Sequence, residues 1–245
     1  MVNAYLLPIG DTVSSAWDKV KGSKKTFWAA IGITVLIGFA IGFISGLLSN
    51  YSDIAAGIVN FIGQVVTTLL QMGLLYLGIL RGRDAPINFK MMFRAFETPI
   101  ILRIIGVYII QFLIFLPVSI IFVFLPIIVY GGEIGNVLSS GLTLSNFLLI
   151  AWFVIGALVA IFITLRLMLS MGFVVDQGVN SWSAVKKSFK ATRCNELRLL
   201  GILVFQIVMI ILGVIPLLIG LIWTLPFVLI IYGVTYRKLL ANLNA

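Results

Sequence analysis

Gln64, Thr67, Thr68 and Gln71 fall at i, i+3, i+4 and i+7 within an otherwise apolar stretch. That spacing puts four hydrogen-bonding side chains on one side of a helix. Amides surrounded by hydrocarbon need partners, so the stripe must face protein or water. It serves either as glue between helices or as the polar lining of a cavity or lipid path, and Gln111 and Gln206 are further amides that could join it. Arg166 is an isolated base in an apolar run. Either it snorkels to the headgroups, or it faces the interior to bind a lipid phosphate or anionic substrate, or to pair with an acid such as Asp176. Arg103 offers the same choice. Lys21, Arg94, Lys186, Lys190 and Arg193 stand on amphipathic segments, where cations suit anionic headgroups. Gly38, Gly42 and Gly46 form a double GxxxG, which lets another backbone approach closely, from the same chain or from a second copy.

The residues for covalent chemistry are missing. There is no histidine, so the usual general base is absent. The eight acids, Asp11, Asp18, Asp53, Asp84, Glu97, Glu133, Asp176 and Glu196, all fall at the ends of apolar runs or between them. No carboxylate pair sits where a membrane protease or proton relay needs one. Phosphate-binding loops and nucleophile elbows are absent. The single Cys194 excludes an intramolecular disulfide and, without histidine, any familiar zinc site. The expectation is a protein that is not an enzyme and carries no cofactor or metal.

The elements that must position these residues are membrane spans. The chain is 61% hydrophobic and 10% charged, with mean hydropathy +1.18, too apolar for a soluble core. Apart from Arg166, its bases gather in four clusters, at residues 19–25, 81–103, 186–198 and 237–238, separated by long uncharged runs. The intervening connections at residues 49–53, 131–146 and 213–220 contain no Lys or Arg. Positive charge confined to one side orients a multi-pass protein with both termini in the cytoplasm. That pattern accounts for the net charge of +9 without nucleic acid. No cleavable signal peptide is evident. At about 20 apolar residues per crossing, six spans are expected over residues 27–48, 54–80, 100–130, 147–170, 199–214 and 218–236. The third is long enough to break at Pro117 or Pro126. The last two share an uncharged run that must turn near Gly213–Gly220. Trp17, Trp28, Tyr76, Trp182 and Tyr236 fall at the basic boundary, and Tyr51, Tyr130, Trp152 and Trp223 at the opposite one.

The fold class is therefore all-α: a polytopic membrane protein with six transmembrane helices as three hairpins in one membrane domain. A basic amphipathic interfacial segment precedes each hairpin. Val20–Lys24, Phe93–Phe96 and Phe189–Arg193 share an apolar residue, a base and a small residue, as a degenerate repeat would. In the second segment Phe89, Met92, Phe93 and Phe96 follow helical spacing. In the third, Trp182, Val185 and Phe189 oppose Lys186, Lys190 and Arg193.

Residues 176–200 begin with an acid at the end of the fourth span and continue with Ala184, Ser188 and Thr192 in an A-x-x-x-S-x-x-x-T helix. With Arg81-Gly82, Phe89 and Phe93–Phe96, and with Ser15-Ala16-Trp17, this resembles YciC-like bacterial inner-membrane proteins and the membrane domain ahead of some glycerophosphodiester phosphodiesterases. The resemblance implies six helical spans and lipid or envelope work in the bacterial inner membrane. No phosphodiesterase domain is present to carry catalysis. The leading expectation is lipid handling or envelope support, with membrane phospholipids as partners. The alternatives are a transporter or channel component whose solute path is the polar stripe, and a scaffold or immunity-type protein. The last would pack against a second copy or another membrane protein through the glycine face.

Overall fold

The computed structural model describes residues 5–130, 144–215 and 219–244, and no strand occurs among them. Six helices are long and apolar enough to cross a membrane. An amphipathic helix α1 (Ile9–Val20) leads into the hairpin α2 (Lys24–Ser49) and α3 (Asp53–Gly82). A 3-10 helix (Phe89–Phe96) precedes α4 (Thr98–Ser119), a π turn (Ile120–Phe124) and α5 (Leu125–Tyr130). Then come α6 (Leu144–Leu167), α7 (Ser170–Gln177), α8 (Ser181–Thr192), the hairpin α9 (Glu196–Val214) and α10 (Leu221–Leu239), and a last turn α11 (Ala241–Asn244). Most of the base-free connection at residues 131–146, with Glu133, lies outside the described residues, as does the Tyr130 side chain.

The first four candidate spans run 26, 30, 32 and 32 residues. At 1.5 Å per residue that is about 39–48 Å, against ~30 Å of hydrocarbon. The excess lies at the basic end. There Leu74, Leu77, Ile79, Ile100, Ile104, Phe173 and Val174 are buried, while Val35, Phe39, Phe112 and Phe162 further along the same helices are exposed. The packed core is thus a cap on the basic end of a loosely packed membrane bundle.

Helix α3 is the axis of that cap, notched by glycines. A Cβ on Gly73 would strike the Met92 backbone, and one on Gly78 the backbone of Leu229. One on Gly82 would lie 2.5 Å from the Gly233 carbonyl carbon. The 3-10 helix and α10 therefore lie directly on the α3 backbone. The glycines expected to serve this purpose do not. Gly42 and Gly46 meet open space, and a Cβ on Gly38 would touch only Thr67, at 3.9 Å. Helix α2 instead seats Ile41 over Gly63 and donates from Ser45 Oγ to the Ala56 carbonyl at 3.2 Å. The Gly42 and Gly46 face packs against nothing among the described residues.

Other elements depart from expectation for local reasons. The third span passes into the π turn just after Pro117, which has no N–H to continue the ladder. The fourth does not end at Ser170 but runs to Gln177. It breaks at Met168 and Leu169, where Ser188 Oγ accepts from Leu169 N at 3.2 Å and donates to the Arg166 carbonyl at 2.6 Å. The segment around Phe93 is a 3-10 helix. Its threefold rows bury Met92 and Ala95 and pair Phe93 with Phe96 at 5.9 Å. Helix α8 buries Ala184, Ser188 and Thr192, while Trp182 and Phe189 stay exposed.

Trp223 is not at the opposite boundary. Lys24 Nζ lies 4.4 Å from its ring centroid, and Trp28 Nε1 donates to the Ile222 carbonyl at 3.1 Å. The register of α10 explains this. With Gly233 fixed against Gly78, Ile222 is 11 residues away, about 16 Å. The start of α10 therefore lies short of the far end of α3.

Gly78→Leu should abolish the monodisperse peak in detergent size exclusion, because a side chain there meets backbone. Gly42→Leu should elute and melt like wild type. A stable Gly78→Leu protein would show that the α3–α10 contact is dispensable.

Candidate functional site

All four basic clusters meet at the capped end. Helix α1 is tied to the end of α3, where Arg81 Nε donates to the Lys19 carbonyl at 2.8 Å and its Nη2 to the Lys21 carbonyl at 2.9 Å. Beyond α3, Asp84 adopts a left-handed conformation with φ of 61° and receives Lys19 Nζ, with Arg237 Nη1 3.4 Å away. The Lys19 hydrogen bond holds the exposed Asp84 carboxyl below the usual aspartate range. Its contribution to stability is present above that range and is lost as the pH falls through the lowered value.

Asp176 anchors the centre of the cap with its side chain only 5% exposed. Both Arg83 guanidinium nitrogens reach it, Nη1 at 2.8 Å, and Tyr236 Oη donates to it at 3.0 Å. Arg94 donates to Tyr76 Oη at 2.7 Å while its Nε, buried, has no partner. Beside it, Lys90, Arg94 and Glu97 line an open pocket of about 520 Å³ walled by Leu80, Met91 and Phe93. Lys90 Nζ is unpaired there, so two bases face one acid.

Arg166 pairs with Glu196, Nη2 to Oε1 at 2.9 Å, and not with Asp176. Its Nη1 donates to the Phe189 carbonyl at 3.0 Å, and its guanidinium lies 5.4 Å from the Phe162 ring. It joins α6, α8 and α9, and it borders no part of the polar stripe. Lys21, Lys186, Lys190 and Arg193 are exposed. Lys186 sits 5.2 Å over the Trp182 ring, and Lys190 Nζ donates to the Leu243 carbonyl at 3.0 Å. Arg103 donates to the Gly178 carbonyl.

The polar stripe lies elsewhere, on the outward side of α3. Gln64, Thr68 and Gln71 form one wall of a groove of about 360 Å³, with Ile101, Ile104 and Tyr108 of α4 opposite. Thr67 and Thr68 hydroxyls bond back to the carbonyls of Gly63 and Gln64 at 2.9 and 2.7 Å. Gln64 and Gln71 side chains have no partner among the described residues. The other two amides do not join them: Gln111 donates to Ser170 Oγ at 3.2 Å and Gln206 to the Val228 carbonyl at 3.3 Å.

Sequence reasoning missed Asn60 and Asp53, both exposed on the same face of α3 as Gln64 and Gln71. The signal was available, since continuing the helical spacing back from Gln71 reaches both. It also missed Lys90 as the free base of the cap pocket.

No family model, curated protein or solved structure matches this chain.

Asp176→Ala should lower stability in detergent by about 3 kcal/mol, because it strands Arg83 and removes the acceptor of Tyr236. Asp84→Ala, at an exposed pair, should shift thermal unfolding little. Equal effects would mean that the cap does not depend on Asp176.

Proposed function

We propose that this chain is a non-enzymatic lipid-handling protein of the bacterial inner membrane, with both termini on the cytoplasmic side, which holds anionic phospholipid on its capped end. The observation that carries this reading is the meeting of three basic elements at one end of an apolar bundle. These are the end of α1 with Lys21, the 3-10 helix with Lys90 and Arg94, and α8 with Lys186, Lys190 and Arg193. On α8 the buried face is small and the outer face is mixed, basic at Lys186 and Lys190 and aromatic at Trp182 and Phe189. That outer face suits a headgroup layer, where rings meet the acyl boundary and ammonium groups meet phosphate.

Arg166 is a structural cation in this reading, since Glu196 already neutralises it. The open basic groups are Lys21, Lys90, Lys186, Lys190 and Arg193. The resemblance of residues 176–200 to YciC-like proteins, which the sequence alone carries, implies a role of the same kind.

A base near an anionic surface contributes about 1 kcal/mol. Replacing Lys186, Lys190 and Arg193 with Gln should therefore weaken anionic lipid association by roughly 3 kcal/mol, on the order of a hundredfold. Native mass spectrometry of wild type and triple variant, released from anionic and zwitterionic nanodiscs over a salt series, measures this. Equal retention of anionic lipid at low salt would remove the main support for the proposal.

A further inference from the structure

Four polar residues of α3 share one outward face: Asp53, Asn60, Gln64 and Gln71, all exposed. Asp53 and Gln71 are 18 residues apart, which is five full turns and about 27 Å. That length matches the ~30 Å of hydrocarbon. Apart from these four and the back-bonded threonines, residues 53–71 are apolar or glycine. The amides of Asn60, Gln64 and Gln71 make no hydrogen bond among the described residues, although each unpartnered polar group in hydrocarbon is costly.

The surroundings keep this face open. On one side, α4 stands off across the groove, with its Tyr108 hydroxyl also unpartnered. On the other side is α2. Gly38 sits beside Thr67, which is next to the amide face, and Gly42 and Gly46 continue from Gly38 at helical spacing with nothing against them. A polar strip the thickness of the bilayer and open to lipid suits a headgroup that stays on the strip while its acyl chains remain in the membrane.

We infer that the α3 furrow is a path along which phospholipid headgroups cross between leaflets, so that the chain equilibrates lipid across the bilayer. The inference rests on the lipid-handling reading and extends it from binding to translocation. Beyond Asp53 at its far end, its groups are neutral amides that donate to phosphate and ester oxygens and accept from headgroup ammonium or hydroxyl groups, so the length of the path does not select by charge. The step is non-covalent and needs no nucleotide, because it dissipates a gradient.

The test reconstitutes the full chain into unilamellar vesicles of phosphatidylcholine and phosphatidylglycerol containing a trace of acyl-chain-labelled fluorescent phosphatidylcholine, then adds dithionite outside. With wild type, quenching should pass the outer-leaflet share and approach completion. Gln64→Leu with Gln71→Leu should slow the second phase about a hundredfold, tenfold per amide at 1.4 kcal/mol per decade. These side chains are exposed, so the variant should fold; size exclusion checks this. Wild-type vesicles that stop at the outer-leaflet share overturn the inference, as does a double variant as fast as wild type. A dimer broken by the double variant, with no translocation in either, assigns the amides to an interface and overturns it too. Anionic lipid retention on the same preparations separates the two readings. Retention without translocation sinks only the path, and loss of α8-dependent retention sinks the lipid-handling proposal beneath it.

Discussion

The contact of α10 with α3, backbone against backbone at Gly78, Gly82 and Gly233, sets the geometry of everything else at the capped end. It brings Tyr236 to Asp176 and Arg237 to the end of α3. It also gives α1 a surface, with Trp17 5.5 Å from Phe227, and fixes how far the last hairpin reaches. Side chains could not produce this arrangement. Within membranes the hydrophobic effect does not discriminate one apolar helix from another, so close backbone approach is what makes a specific contact. Four of the notches, Gly63, Gly73, Gly78 and Gly82, fall on α3 alone, and so α3 collects α2, the 3-10 helix and α10 around it.

The charged groups follow from that frame. The ends of α3, α7 and α10 converge, and Asp176 is the acid among them. Two guanidinium nitrogens of Arg83 and a tyrosine hydroxyl satisfy it in a site that is nearly closed. Arg166 with Glu196 performs the same task for α6, α8 and α9 at a more open position. The bases left over, on α1, on the 3-10 helix and on α8, lie outside these networks and face the surroundings. Bases held by carboxylates or backbone carbonyls build the cap, and the exposed ones clothe it.

The sequence makes the membrane class, the span positions and the amphipathic segments readable, because hydropathy and charge act through length and position alone. It does not show which face of a helix has a neighbour. The spacing Gly38, Gly42, Gly46 and the spacing Gly78, Gly82 are the same signal, yet only the second is buried. Nor does it show register. Trp223 looks like a residue of the far boundary from its distance along the chain, and only docking at Gly233 brings it beside Lys24. Asp176 is one of several partners that sequence leaves open to Arg166, whereas the base that binds it, Arg83, lies 93 residues away. The amide stripe was legible as a face, and its far half at Asn60 and Asp53 follows from the same period.

Both ends of the chain close the cap. Leu7 N donates to Asn195 Oδ1 at 2.7 Å, and Tyr5 N donates to Asn242 Oδ1, also at 2.7 Å, across 237 residues of sequence. A chain made from its N-terminus leaves α1 and the notches of α3 without these partners until the final helix emerges. The first hairpins can insert as they are synthesised, but the capped end is an assembly of long-range contacts, and long-range contacts form slowly. During that interval the bare backbone face of α3 is the surface most open to mispairing. Assembly of the capped end therefore depends on residues 196–244 far more than their number suggests.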